Sequence, residues 1–240
     1  MASIRPYIIV NGVSSNTVSG LMITELPPTT KAPKRVLNEV IDGKDGDIVT
    51  ELGFSAYDKP LKVALFGSYN VDRVIEFFNA EGVITFSNEL DKYYRFKIYE
   101  QADFNRLLRY KTADINIHVQ PFKFLVNETP VNATIGTSPN SVTVTNAGNI
   151  YAKPTIKITG SGAVALSING TELLNITLDD NGETIIINSE DLNAYALDGT
   201  LLNRQVVGNY DNIKLNKGAN TVTVTGTITA LQITKYSRWV

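Results

Sequence analysis

The sequence predicts a mainly β protein of two domains, residues 1–126 and 127–240. Three observations carry that reading. The stretch Lys111–Phe124 holds a strictly alternating strand, with Ala113, Ile115, Ile117 and Val119 apolar and Thr112, Asp114, Asn116, His118 and Gln120 polar. A period of two is what one buried and one wet face require. Charge is uneven: 30 of the 46 Asp, Glu, Lys and Arg residues lie in 1–124. Beyond that point the chain becomes a run of Thr, Asn, Gly and Val, whose β-branched members favour strands. Pro121 has no ladder donor, so the alternating strand is expected to stop there and mark the boundary.

Taken in order, Tyr7–Val10 reads as a first strand closed by the turn Asn11-Gly12, and Leu21–Leu26 as a second. Pro27, Pro28 and Pro33 make the next segment extended. Val36–Ile41 is strand-like and runs into the glycine-punctuated loop Asp42-Gly43-Lys44-Asp45-Gly46-Asp47, and Leu61–Phe66 is a further strand. One helix is expected after Asn70, a good N-cap, with Asp72 in the first turn where the helix dipole favours a carboxylate. Val71, Val74, Ile75 and Phe78 would form its apolar face, and Gly82 its stop. Val83–Phe86, Tyr94–Glu100 and Leu107–Val119 complete a strand-rich domain.

The second half reads as a β-sandwich of short strands: Val142–Thr145, Thr155–Thr159, Val164–Ile168, Leu173–Leu178, Thr184–Ile187, Ile213–Leu215, Thr221–Thr225 and Ile228–Thr234. Asn169-Gly170 is a two-residue hairpin signal and Asp180-Asn181-Gly182 a second turn.

Composition removes several function classes. There is no cysteine, so disulfide frameworks, thiolate metal sites and cysteine nucleophiles are out, which fits a reducing cytoplasm. Net charge is −2 and no basic stripe appears, against tight binding to a phosphate backbone. No apolar run has the length of a signal-peptide core or a membrane span, so synthesis in the cytosol is expected. The single histidine, His118, lies on the wet side of its strand and has no second histidine for a metal site or relay. Asp42, Asp45 and Asp47 miss the calcium-loop pattern, because Lys44 and Gly53 occupy its third and twelfth positions. The carboxylate pairs Asp179-Asp180 and Glu190-Asp191 sit in polar turns. Four Asn-X-Thr matches follow from a half dense in Asn and Thr. No cofactor, metal or catalytic residue is expected.

Several pieces occur together in one order: Ile8-Ile-Val-Asn-Gly12, Leu26-Pro-Pro28, Ile41-Asp-Gly-Lys-Asp-Gly46, Val83-Ile-Thr-Phe-Ser-Asn-Glu-Leu-Asp-Lys-Tyr-Tyr94 and His118-Val-Gln-Pro-Phe-Lys-Phe124. In this order they resemble the N-terminal domain of the distal tail (Dit) proteins of phages with long non-contractile tails. The resemblance covers about half the chain. Lys44 fits the basic residue that family members often carry between the loop glycines, whereas Leu90 stands where many have proline. The second half matches no motif closely and is similar in length to the galectin-like or carbohydrate-module-like sandwich of short members.

The resemblance implies a structural virion protein at the tail tip or baseplate, assembled in the host bacterial cytoplasm, and not an enzyme. It implies a homo-hexameric ring around the DNA channel, joining the tail tube protein to the tail-associated hub protein and holding receptor-binding or baseplate components. A head-to-tail ring pairs strand edges that must otherwise be covered. Lys31–Val40 is the candidate arm to a neighbour, with Lys31, Pro33, Asp42, Gly43, Lys44, Asp45 and Gly46 as interface residues. The alternative is a carbohydrate-binding module for cell-wall glycans, with Tyr210 and Trp239 as stacking surfaces.

Overall fold

The computed structural model describes residues 5–99 and 104–240. It is mainly β, with 56% strand against 9% helix. The chain divides into two compact units, one running through Val126 and including Val240, the other spanning Asn127–Trp239. Each buries its own core.

The first unit contains β1 (Ile8–Val10), β2 (Val13–Ser14), β3 (Leu21–Glu25), β4 (Lys34–Val40), β5 (Asp47–Phe54), β6 (Tyr57–Leu65), α1 (Val71–Phe78), β7 (Glu81–Phe86), β8 (Lys92–Lys97), α2 (Phe104–Tyr110) and β9 (Thr112–Leu125). Its main sheet runs in the order β2-β1-β7-β8-β9-β6-β3, with neighbours antiparallel. The pair β4–β5 forms a separate two-stranded sheet. Asn11 and Gly12 turn β1 into β2 with positive φ at both residues (48° and 84°), the geometry that hairpin twist demands.

The alternation in β9 is as the sequence dictates: Ala113, Ile115, Ile117 and Val119 are buried. The strand does not stop at Pro121, however, and continues to Leu125. β6 pairs with β9 only as far as Val119, and the register against β8 shifts between Tyr94 and Phe96. Pro121 lies beyond the last β6 pair and within that shift, so its missing N–H breaks no pair with β6 or β8.

The expectation of one helix is also corrected, since Leu107–Tyr110 belongs to α2. Leu and Arg are good helix formers, and Leu107 is fully buried. Glu100 lies outside the described residues, and β8 ends at Lys97. On α1, Asn70 Oδ1 accepts from the Arg73 N–H at 3.2 Å, as expected of a cap. The buried face is Val74, Phe77 and Phe78, while Ile75 is exposed. Gly82 is part of β7 and does not cap the helix.

The second unit contains β10 (Val131–Asn132), β11 (Asn140–Asn146), β12 (Thr155–Ile168), β13 (Thr171–Asn188), β14 (Asn193–Tyr195), β15 (Val206–Gly208) and β16 (Gly218–Thr234). Six of the short strands expected from sequence merge pairwise into the long strands β12, β13 and β16. Asn169-Gly170 makes the β12–β13 hairpin, with φ of 52° and 81°. Asp180-Asn181-Gly182 is no hairpin turn: Leu178 pairs Gly162 and Glu183 pairs Gly160, so the segment between bulges out of a continuing strand. Ile213–Leu215 contributes only an isolated bridge, Leu215 to Ala152.

The three long strands change register at one level, around Gly160–Val164, Asp179–Gly182 and Gly226–Ile228. On one side of this seam lie β11, β15 and the β12–β13 hairpin end. On the other lie β10, β14 and the far ends. Inward residues from both sides, among them Ile156, Ile158, Leu166, Leu174, Ile187, Val224 and Ile233, belong to one core. A side chain of this size contributes about 1.5–3 kcal/mol on full burial. The seam needs glycine. A methyl at Gly226 (φ 123°) would stand 2.5 Å from the Ala163 carbonyl oxygen, and one at Gly160 would be driven into that of Thr227.

Candidate assembly interface

The β4–β5 hairpin is the part of the first unit that its own core does not explain. Seven pairs, from Lys34 with Phe54 to Val40 with Asp47, zip it together, with one register shift after Arg35. At about 3.4 Å per residue, β4 alone extends about 24 Å. Every residue of both strands is exposed except Phe54, which is half-buried. Phe54 meets the edge of Phe122 at 5.4 Å, which ties the base of the arm to β9.

The exposed residues are not those of a solvated loop. Val36, Leu37, Val40, Ile41, Ile48, Val49 and Leu52 are all large aliphatics, and Val40 is 79% exposed. The register puts Val36, Val40 and Val49 on one face and Leu37 and Ile48 on the other. A two-stranded hairpin is marginal in water even with one face covered. Exposed apolar surface on this scale is characteristic of an interaction site.

The predicted interface residues fall at the two ends of this arm. Asp42, Gly43, Lys44, Asp45 and Gly46 make the tip, where the Lys44 N–H donates to the Ile41 carbonyl at 3.1 Å and both glycines have φ near 80°. Lys31 and Pro33 lie at the root, exposed on either side of buried Ala32. The Pro33 carbonyl accepts from the Ser55 N–H at 2.8 Å, closing the base. The arm carries the ion pair Lys34–Glu51, and Arg35 donates to the Leu52 carbonyl at 3.2 Å. Sequence reading found β4 and the tip but missed β5. Its signal was present in Ile48-Val49-Thr50 and Leu52, a β-branched run following a glycine loop.

The other singled-out residues stand elsewhere. His118 lies on the wet face of β9, with Nδ1 2.7 Å from Asp58 Oδ1 and its ring 5.1 Å from that of Tyr99. Tyr210 sits in a 3-10 turn with its ring against the second core and its hydroxyl buried without a hydrogen bond. Burial raises that phenol above its ordinary pKa. Trp239 is half-buried, at the end of the second unit. A groove of about 500 Å³ between α1 and the β1–β2 hairpin is lined by Val10, Val13, Val18 and Phe77 and holds the ion pair Arg73–Glu76 at 3.0 Å. Among the described residues, no group of three His, Asp or Glu is placed to hold a metal ion.

No protein-family model matches the chain, and no curated protein matches it either. Solved structures do. The Dit protein of phage SPP1, described as a paradigm of the hub adsorption apparatus in phages infecting Gram-positive bacteria, aligns with a TM-score of 0.68 at 18% identity. That alignment covers 96% of this chain and 99% of the other. A chain of the phage P2 baseplate in its activated conformation aligns over 96% of this chain and 97% of its own, at 10% identity and a TM-score of 0.48. The alignment to the SPP1 protein spans both units at once, so the chain has the fold of a phage distal tail protein, the family that the motifs of its first half resemble.

Proposed function

We propose that this protein is a structural hub of a phage tail tip, and that the β4–β5 hairpin is the arm by which one copy grips the next. The fold likeness to a distal tail protein supports the structural role. The observation that carries the arm is its exposure: seven large aliphatics on a hairpin that its own unit leaves bare. An arm at one place and a receiving surface at another make a heterologous contact, which closes into a ring when the rotation fits. The closed form is a homo-hexamer, joining the tail tube protein to the tail-associated hub protein and carrying baseplate components at its edge. The near-neutral charge suits a channel through which DNA passes without being held.

Light scattering on the purified chain tests this. Six copies of 26.3 kDa give about 158 kDa. Replacing residues 34–54 by a short turn should leave a folded species at monomer mass. An arm-less chain that still forms the full ring would overturn the assignment of the hairpin.

A further inference from the structure

The arm emerges from the segment 26–33, which forms no strand and carries Pro27, Pro28 and Pro33. Proline fixes φ, so this segment is a stiff strut, and the direction of the arm depends on how the strut is held. It is held from below by β6. In that strand Lys59, Leu61, Val63 and Leu65 share the inward parity, and Lys59 is only 3% exposed. A lysine at a core position is expensive unless its ammonium finds partners. Lys59 Nζ donates to the Pro28 carbonyl at 2.9 Å. Around it stand three aromatic rings, Tyr94 at 5.2 Å, Tyr57 at 5.5 Å and Phe86 at 5.9 Å from Nζ, within reach of cation–π attraction. Tyr57, two residues earlier, donates its hydroxyl to the Thr30 carbonyl at 3.4 Å. Ala32 is buried beyond it, and the Pro33–Ser55 bond closes the root.

Resting on the reading of the hairpin as an assembly arm, we propose that Lys59 and Tyr57 are positioning residues that latch the strut and so aim the arm before any neighbour is met. A leucine or methionine at position 59 would fill the same space with no desolvation cost and no bond to Pro28, so the lysine serves position at the expense of local stability. Aiming the arm in advance lowers the ordering cost of association.

The chain has no cysteine, so a spin-label pair introduced by Asp45→Cys at the arm tip and Glu76→Cys on α1 reads one distance. The measurement is made in a Val40→Glu, Val49→Glu background, so that no neighbour holds the arm, and it reads the latch whether or not copies associate. The latched chain should give one narrow distance distribution. Lys59→Met should widen it about twofold while leaving the melting temperature unchanged or higher, which a merely structural lysine would not do. Tyr57→Phe should widen it less. Should Lys59→Met fail to fold, Lys59→Gln is read in the same way. An unchanged narrow distribution in the position-59 variant combined with Tyr57→Phe would overturn the latch. A ring that survives deletion of the arm would instead overturn the arm reading and leave the latch standing.

Discussion

The β4–β5 arm and the long strands β12, β13 and β16 are made of similar residues and have opposite fates. Both are rich in Val, Ile, Leu and Thr. In the second unit the long strands pair with one another and with shorter neighbours, and their inward residues fall to a few percent exposure or less. In the arm the same residue types stay bare on both faces. β-Propensity sets what can be a strand, and the availability of a covering layer decides whether it is finished within the chain. The long strands of the second unit bury their inward faces within that unit. The first unit carries a strand pair whose apolar side chains it does not itself cover.

The largest effect on stability should come at the seam of the finished unit. Gly226→Ala should cost about 3 kcal/mol or more in urea unfolding, because the methyl meets backbone that cannot move aside. A cost under 1 kcal/mol would mean that the seam relaxes and that the three strands are not locked together there.

Next comes the latch beneath the arm. Burial, and secondarily the charge of Lys123, lower the Lys59 pKa from 10.5 to about 8, while Glu89 pushes the other way. Lys123 is itself bound to both Glu89 oxygens at 2.9 and 3.0 Å. Between pH 8 and 10.5 the unfolded chain keeps the Lys59 proton and the folded chain releases it, so stability rises with pH across that window, by up to about 3 kcal/mol. Above about pH 10, Tyr57 and Tyr94, which burial holds neutral in the folded chain, turn the slope downward. Lys59→Met should remove the rise. Urea midpoints measured from pH 7 to 10 check this, and a flat wild-type profile would contradict it.

A smaller effect is expected at Tyr210. Its hydroxyl is buried and unsatisfied, so Tyr210→Phe should stabilise the second unit by about 1 kcal/mol in thermal unfolding. If this variant weakened binding to cell-wall polysaccharide, the glycan alternative would gain its first support. The smallest effect on stability belongs to the arm. Val40→Asp, at a site 79% exposed, should change unfolding by no more than about 0.5 kcal/mol and yet abolish association seen by light scattering. Strong destabilisation there would mean that the arm is part of the folded body.

Much of this contrast could be read from the chain, and the failures have physical causes. β9 was legible because one wet and one buried face print a period of two. β5, exposed on both faces, prints no such period and left only the β-branched run Ile48-Val49-Thr50 as its signal. The long strands looked like pairs of short ones, since Gly160, Gly162, Asp180-Asn181-Gly182 and Gly226 give the signals of chain ends when they are bends within a continuing ladder. α2 was hidden because a single turn or two of Leu and Arg beside a long strand shows no distinct period. The arm tip was visible through Gly43 and Gly46, which supply left-handed turns. Lys59 was invisible, because a lysine in a strand reads as wet. Only its shared parity with Leu61, Val63 and Leu65 points inward.

The central claim is that the arm is finished by a second copy. Hydrogen exchange on the intact chain at low and high concentration measures this directly. Amides of Val36–Val40 and Ile48–Leu52, paired only across a two-stranded ladder, should be weakly protected when dilute and become strongly protected as the mass rises, while those of β12, β13 and β16 stay unchanged. Arm protection that is the same at every concentration would contradict the account.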